Sequence, residues 1–162
     1  SGVGTARTPA ATGYGEDKAI FGYGHDGSSR TSLTNLVTNV GVVGSDVSGV
    51  GTGRDGGDGA EYGVGLAIFA YGNTSSGYLS ISNLVTNVGV VGSDVSGVGT
   101  ARSGLSGTRY GGDKAIFAYG TTGSFVSLSN LVNNLGVVAA DVTGVGTART
   151  TEGGAAGYST SA

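Results

Sequence analysis

Apolar side chains in this chain come in short bursts separated by glycine and small polar residues, and the bursts recur. Ala-Ile-Phe stands at 19–21, 67–69 and 115–117, two spacings of 48 residues. Asn-Leu-Val begins at 35, 83 and 130, and Gly-Val-Gly-Thr begins at 2, 49, 97 and 144. The stretch Asn35–Thr52 returns unchanged at Asn83–Thr100 and with small substitutions at Asn130–Thr147. The chain is a tandem array.

Within one period the local signals are those of strands. Glycine interrupts almost every window, at about 1 kcal/mol per helix-interior position, so helices are not expected. The longest glycine-free stretch, Ser28–Val40, is rich in Ser, Thr and Val rather than helix formers. Four strands are predicted per unit. The first follows Arg7, Arg54 and Arg102 and runs to Tyr14, Tyr62 and Tyr110; its small residues suit a crowded axis. The second is Lys18–Tyr23 and its copies near Leu66 and Lys114, the most apolar segment. The third runs about Ser32–Thr38, and the turn Asn39-Val40-Gly41 leads to the fourth, Val42–Val47. The expected fold class is all-β, with one four-stranded antiparallel meander per unit.

The units fall at approximately 1–48, 49–96 and 97–143, with a partial unit at 144–162, all in one repeat domain. A period near 48 residues lies among propeller blades, about 40–50, and is long for a single solenoid coil. Three blades do not readily close a ring, since propellers typically have about 4–8. Oligomerisation or a longer array is therefore expected to complete them. Ser1 at the first position is expected of a processed chain or a piece of a longer one. Thr143-Gly-Val-Gly-Thr-Ala-Arg149 repeats the opening segment, and Tyr158 takes the first-strand tyrosine position. The sequence reads there as an extra first strand, available for association.

Composition narrows the function classes. Glycine supplies 35 of 162 residues, yet hydrophobic residues make up 38% and recur at fixed places, which argues against disorder. A net charge of -3 and only 12% charged residues give no electrostatic case for nucleic acid or an anionic membrane. Without cysteine, disulfides, zinc-thiolate sites and thiol catalysis drop out together. No apolar run approaches the ~18 residues of a membrane helix.

The order of features in Arg102-Ser-Gly-Leu-Ser-Gly-Thr-Arg-Tyr-Gly-Gly-Asp-Lys-Ala-Ile-Phe-Ala-Tyr-Gly120 resembles a kelch repeat. An Arg opens a small-residue strand, an apolar strand ends in a glycine turn, and two further strands follow. The resemblance covers all three units and implies a kelch-like β-propeller with a binding or structural role and no fixed chemistry. The Lys-Ala-Ile-Phe, Asn-Leu-Val and Gly-Val-Gly-Thr-Ala-Arg units also look like repeat proteins of bacteriophages and environmental viral sequences, often tail-fibre or virion-surface proteins.

Candidate chemistry is sparse. His25 is the sole histidine, and its neighbours Asp26 and Ser28 do not make a Ser-His-Asp triad by proximity in one short loop. Gly22–Gly27 matches Gly-x-Gly-x-x-Gly, but a dinucleotide site needs a helix next, and Ser28–Thr34 has strand character. Asp55, Asp58 and Glu61 offer oxygen ligands resembling one calcium-binding nonapeptide; such sites need tandem copies, so a polar loop is expected.

Repeated residues point to structure. Arg7, Arg54, Arg102 and Arg149 form either a ring of positive charge at a propeller mouth or a buckle onto carbonyls and the repeated Asp46, Asp94 and Asp141. Recurrence in every unit favours the buckle. The same logic covers Tyr14, Tyr62, Tyr110 and Tyr158, and Tyr23, Tyr71 and Tyr119.

Variation between units points to loops, where recognition usually sits. Arg30, Tyr78 and Phe125 occupy the variable segment, and an exposed aromatic there either stacks on a sugar or caps blade packing. Asn73-Thr-Ser75 is a glycosylation sequon. The expected role is non-enzymatic and needs no cofactor or metal: a structural or adhesive module of a virion or cell-surface fibre, outside the cell. Its partners are other copies of itself and cell-surface glycan. The alternative is an extracellular filament subunit joined by strand addition through its C-terminal overhang.

Overall fold

The computed structural model describes residues 3–151 and 154–157, and these contain strands and no helix. Accordingly, no helix among them is long and apolar enough to cross a membrane. Three antiparallel sheets follow one another along the chain. The first orders β1 (Ala10–Tyr14), β2 (Lys18–Gly22) and β3 (Thr34–Val37). The second orders β4 (Asp58–Tyr62), β5 (Leu66–Thr74) and β6 (Gly77–Val85), and the third β7 (Ser106–Tyr110), β8 (Lys114–Ala118) and β9 (Ser129–Val132). The chain is all-β. Each sheet is a meander whose second strand lies in the middle, as expected of neighbouring strands joined by short turns. Tyr158 and the rest of the C-terminal overhang beyond residue 157 lie outside the described residues.

The fourth strand does not form as a continuous ladder. Segment 42–47 touches β3 through two bridges, Val37↔Val43 and Thr34↔Val47. These bridges are three residues apart on β3 but four apart on the facing segment, so one extra residue is inserted. An insertion of that kind interrupts the hydrogen-bond ladder and bends the strand. Val85↔Val91 with Ser82↔Val95, and Val132↔Val138 with Ser129↔Val142, repeat the same offset. In place of a ladder, the bend frees Asp46, Asp94 and Asp141 for other partners.

The sheets bury their faces on one another. Tyr14, Ile20 and Tyr23 pack with Ala67, Phe69, Val85 and Val91 as one core. Ala60, Tyr62, Ile68, Ala70 and Tyr71 pack with Leu105, Ala115, Phe117 and Val132 as the other. Ala67 and Phe69 therefore face the first repeat while Ile68 and Ala70 face the third, the ordinary alternation of a strand buried on both sides. The first strands of neighbouring repeats approach closely: a Cβ on Gly59 would stand 2.8 Å from Cβ of Thr12 and 3.1 Å from the Phe69 ring.

Tyr71 breaks that alternation. As a residue two beyond Phe69 it should share the phenylalanine's face, yet it joins Ile68 and Ala70 on the opposite one. Its φ is 63°, in the left-handed region, and the β5–β6 register shifts between Ala70 and Gly72. Tyr23 and Tyr119 have φ of 61° and 66°. Each repeat thus sends a phenylalanine backward and a tyrosine forward. The rings meet edge to face, Tyr23 on Phe69 at 5.4 Å and Tyr71 on Phe117 at 5.8 Å. Such pairs contribute about 0.5–1.5 kcal/mol beyond their burial.

Candidate functional site

The repeated arginines lie inside the array. Arg54 and Arg102, 1% and 0% exposed, open one repeat and stack on the tyrosine of the repeat before. Their Cζ atoms stand 3.9 Å over Tyr23 and 4.2 Å over Tyr71, and Arg149 stands 3.7 Å over Tyr119. A desolvated guanidinium over a ring is worth about 2 kcal/mol. Its N–H groups go to carbonyls: Arg54 donates to Thr52 and Phe69, and Arg102 to Thr100, Phe117 and Tyr119. The rings reciprocate, the hydroxyls of Tyr23 and Tyr71 donating to the carbonyls of Val50 and Val98. Burial pushes the Tyr23 and Tyr71 hydroxyls up to about 12, against the pull of the neighbouring arginine. Burial likewise lowers Arg54.

Arg7 has no such ring among the described residues. It donates Nε to the Tyr23 carbonyl and Nη2 to Oδ1 of Asn35 at 2.6 Å, and lies 3.6 Å from Asp46. The corresponding Asn83 and Asn130 Oδ1 atoms are buried without a hydrogen-bond partner. There the guanidinium is drawn over the preceding tyrosine.

The repeated aspartates clasp the start of their own repeat. Asp46 accepts from the backbone N–H of Thr5 at 2.9 Å, from its hydroxyl at 2.7 Å and from Asn35 at 2.9 Å. Thr52 and Asn83 serve Asp94, and Thr100 and Asn130 serve Asp141. Hydrogen bonds from Thr5 and Asn35 hold Asp46 below the usual carboxylate range. For Asp94 and Asp141 partial burial pushes upward, but the same kinds of bonds outweigh it and the carboxyls sit low.

The variable loops carry Arg30, Tyr78 and Phe125 at one register. His25 bridges Arg30, Asn73 pairs with Tyr78, and Thr121 bridges Phe125, so Arg30, Tyr78 and Phe125 occupy matching positions in successive repeats. Their surroundings differ. Arg30 Nε meets Oδ1 of Asp55 in the next repeat at 2.7 Å. Asn73, with its amide oriented to donate to Asp55 at 2.9 Å, accepts from Arg30 at 2.9 Å. Tyr78 is 37% and Phe125 62% exposed.

The other candidates resolve into local bonds. Nδ1 of His25 accepts from the Gly27 N–H, while Asp26 caps the N–H groups of Ser28 and Ser29. The segment after Gly27 is a turn and a bridge rather than a helix. The three acidic residues of the nonapeptide-like segment, Asp55, Asp58 and Glu61, diverge. Asp55 goes to Arg30, Glu61 to Arg109 at 3.0 Å, and Asp58 accepts from the N–H groups of Gly59 and Gly107, each at 2.8 Å. Burial raises Asp58 in spite of those two donors. No group of three or more potential metal ligands occurs among the described residues.

Two surface features escape the sequence pattern. Val40, Val88 and Leu135 are 79%, 69% and 74% exposed at the turn before the fourth segment, a position apolar in every repeat and yet open. The outer faces of the first and third sheets are only half covered, although their residues match those buried in the middle. The sequence repeats the residue types; how far each copy is covered is set by the packing. Between the first two repeats, the cavity beside Tyr23, Arg54 and Phe69 measures about 10 Å³, room for one water at most. No family model matches the chain, and no curated protein matches it.

Proposed function

We propose that the chain is a non-enzymatic structural and adhesive module of a virion or cell-surface fibre, working outside the cell. In this reading its repeats are kelch-like propeller blades, each completed by the bridged fourth segment, and its loops bind weakly and repeatedly. One observation carries it: the same register in successive repeats presents different residues, with two open aromatic rings, Tyr78 and Phe125, on an otherwise repeated scaffold. The repeated arginines, tyrosines and aspartates support the division of labour, because the arginines and tyrosines join neighbouring repeats while the aspartates close each repeat on its own start.

A ring open to water on a rigid scaffold suits stacking on the apolar face of a sugar. Single contacts of that kind are weak; several on one assembly sum through effective concentration. The ligand class is therefore cell-surface glycan. The test is binding of the full chain, displayed multivalently on beads, to a glycan array. Tyr78→Ala with Phe125→Ala should abolish retention without changing the thermal midpoint. Retention unaffected by the double variant, absence of glycan binding, or turnover of a bound glycan would each contradict the proposal.

A further inference from the structure

Aspartate precedes glycine three times in the chain, at Asp26-Gly27, Asp55-Gly56 and Asp58-Gly59. At such a step the glycine nitrogen can attack the aspartate carboxyl, because no side chain shields it. The structure treats the three steps differently. Asp55 is held on Arg30 at 2.7 Å, and its own N–H and C=O both pair with Asn73. A Cβ on Gly56 would stand 3.1 Å from Asn73 and from Ser103. Asp58 lies within β4, its carboxylate on the N–H groups of Gly59 and Gly107 at 2.8 Å, and Gly59 is buried. Neither backbone is free to turn its glycine nitrogen onto the carboxyl.

The first step is arranged for the reaction. Residues 26–29 are exposed, and a Cβ on Gly27, at φ 98°, would meet nothing within 4 Å. The Gly27 N–H donates to Nδ1 of His25 at 3.0 Å, so the one imidazole of the chain stands as a base at the attacking nitrogen. Accepting there places the proton of the neutral ring on Nε2. Oδ1 of Asp26 accepts from the N–H groups of Ser28 at 2.8 Å and Ser29 at 2.7 Å, two donors for the negative charge that attack puts on that oxygen. The Ser29 and Ser28 N–H groups also keep Asp26 below the usual carboxylate range, so the acid form that reacts is scarce at neutral pH and the step is slow. The third repeat builds the same turn without the chemistry. Gly123 donates to the hydroxyl of Thr121 at 3.1 Å, and Thr122 stands where Asp26 does.

We propose that Asp26-Gly27 is a self-modifying step, in which His25 takes the proton from the Gly27 nitrogen as that nitrogen closes on Cγ of Asp26. One C–N bond forms and one C–O bond breaks. The carboxyl hydroxyl leaves as water with the proton that His25 received, and nothing is oxidised or reduced. The product is a succinimide. Water then opens the ring at Cγ, restoring aspartate, or at the α-carbonyl, leaving an isoaspartyl link with one extra methylene in the main chain. That methylene falls inside the bridged loop His25–Arg30, whose geometry sets Arg30 on Asp55. The first variable loop and its tie to the second repeat therefore change with the age of the protein. The inference stands apart from the adhesive reading, since neither Tyr78 nor Phe125 takes part.

Ageing of the full chain tests it. The native chain is held warm in slightly acidic buffer and its peptides are mapped by mass spectrometry. A dehydrated and then an isoaspartyl product should form at Asp26, about tenfold or more faster than at Asp55 or Asp58. In urea the three steps should convert at like rates, with Asp26 slower than in the native chain. His25→Thr borrows the hydroxyl that caps Gly123, so it keeps the turn and removes the base. It should slow conversion of Asp26 by about tenfold or more, with unchanged circular dichroism showing that the variant is folded. Conversion of Asp55 or Asp58 as fast as Asp26 in the native chain, an Asp26 rate no higher than in urea, or an unchanged rate in His25→Thr would overturn the proposal. Loss of glycan binding with conversion intact would touch only the adhesive reading.

Discussion

The guanidinium of Arg54 lies 3.9 Å above the ring of Tyr23, although the arginine opens one repeat and the tyrosine belongs to the repeat before it. The pair is buried, with the tyrosine hydroxyl on Val50 and the arginine on Thr52 and Phe69 carbonyls. It makes each repeat depend on the next.

Replacing Arg102 with lysine should therefore cost more than its retained charge implies. Lysine keeps the cation but loses the planar fork that serves three carbonyls while stacking on Tyr71. We expect about 2–4 kcal/mol of destabilisation in urea unfolding, because an ammonium buried there is poorly partnered. A loss under about 0.5 kcal/mol, the scale of an ordinary surface change, would mean that the stacked geometry contributes little.

Alkali should loosen the array through its tyrosines. Tyr23 and Tyr71 have hydroxyls raised from 10.0 to about 12. A raised folded pKa gives stability that is complete below pH 10 and is lost as pH rises through about 12. Two pH units correspond to about 2.7 kcal/mol per ring. Denaturant midpoints should fall across this window, and Tyr23→Phe with Tyr71→Phe should flatten the decline. An equal decline in the double variant would assign it to other groups.

Acid should open the clasps. Asp46, Asp94 and Asp141 all sit below their ordinary 3.8, so what they contribute is present above that value and lost as pH falls below it. Thr52→Val removes one donor from Asp94 and should cost about 1 kcal/mol at neutral pH, less than a buried bond because the site is open to water. In carboxyl-detected NMR titration, Asp94 should then shift upward toward its ordinary value. An unmoved titration would show that Thr52 does not hold it.

Gly72→Ala should be severe. Its φ is 109°, and an added Cβ would stand 2.6 Å from the Asp55 carbonyl and 3.0 Å from the Gly57 nitrogen, both backbone. Strain and clash together predict a loss of about 3 kcal/mol or more by thermal or chemical unfolding. Gly27→Ala also has positive φ, at 98°, but meets nothing within 4 Å; it should cost about 1 kcal/mol.

The two phenylalanines at equivalent positions should behave differently. Phe69→Ala empties a site packed from both sides and should cost about 3–5 kcal/mol. Phe21→Ala should cost about 1 kcal/mol, since that ring is only half-buried. Equal losses would mean that the first sheet's outer face is covered after all.

Much of the fold can be read directly. The 48-residue period, the all-β class, the first strands ending at Tyr14, Tyr62 and Tyr110, and the turn at Gly41 follow from glycine placement and β-branched runs. The fourth strand misleads, because Val42–Val47 has strand composition while its one extra residue appears only when it is laid against β3. Arg30 shows a second limit. Its place in a variable loop is legible, whereas its partner Asp55 stands 25 residues onward in the next repeat.

Local pattern thus specifies the strands, their order and their turns, because those depend on φ preferences and alternation over a few residues. It leaves open which way Tyr71 points: alternation puts it with Phe69, and only packing against Phe117 compensates a tyrosine held at positive φ. It also leaves open what each copy of a repeated residue does. Phe21 and Phe69 sit in the same Ala-Ile-Phe, but burial is a property of the neighbouring sheet. Among the described residues the second sheet packs against one on each side, and the first and third each pack against the second.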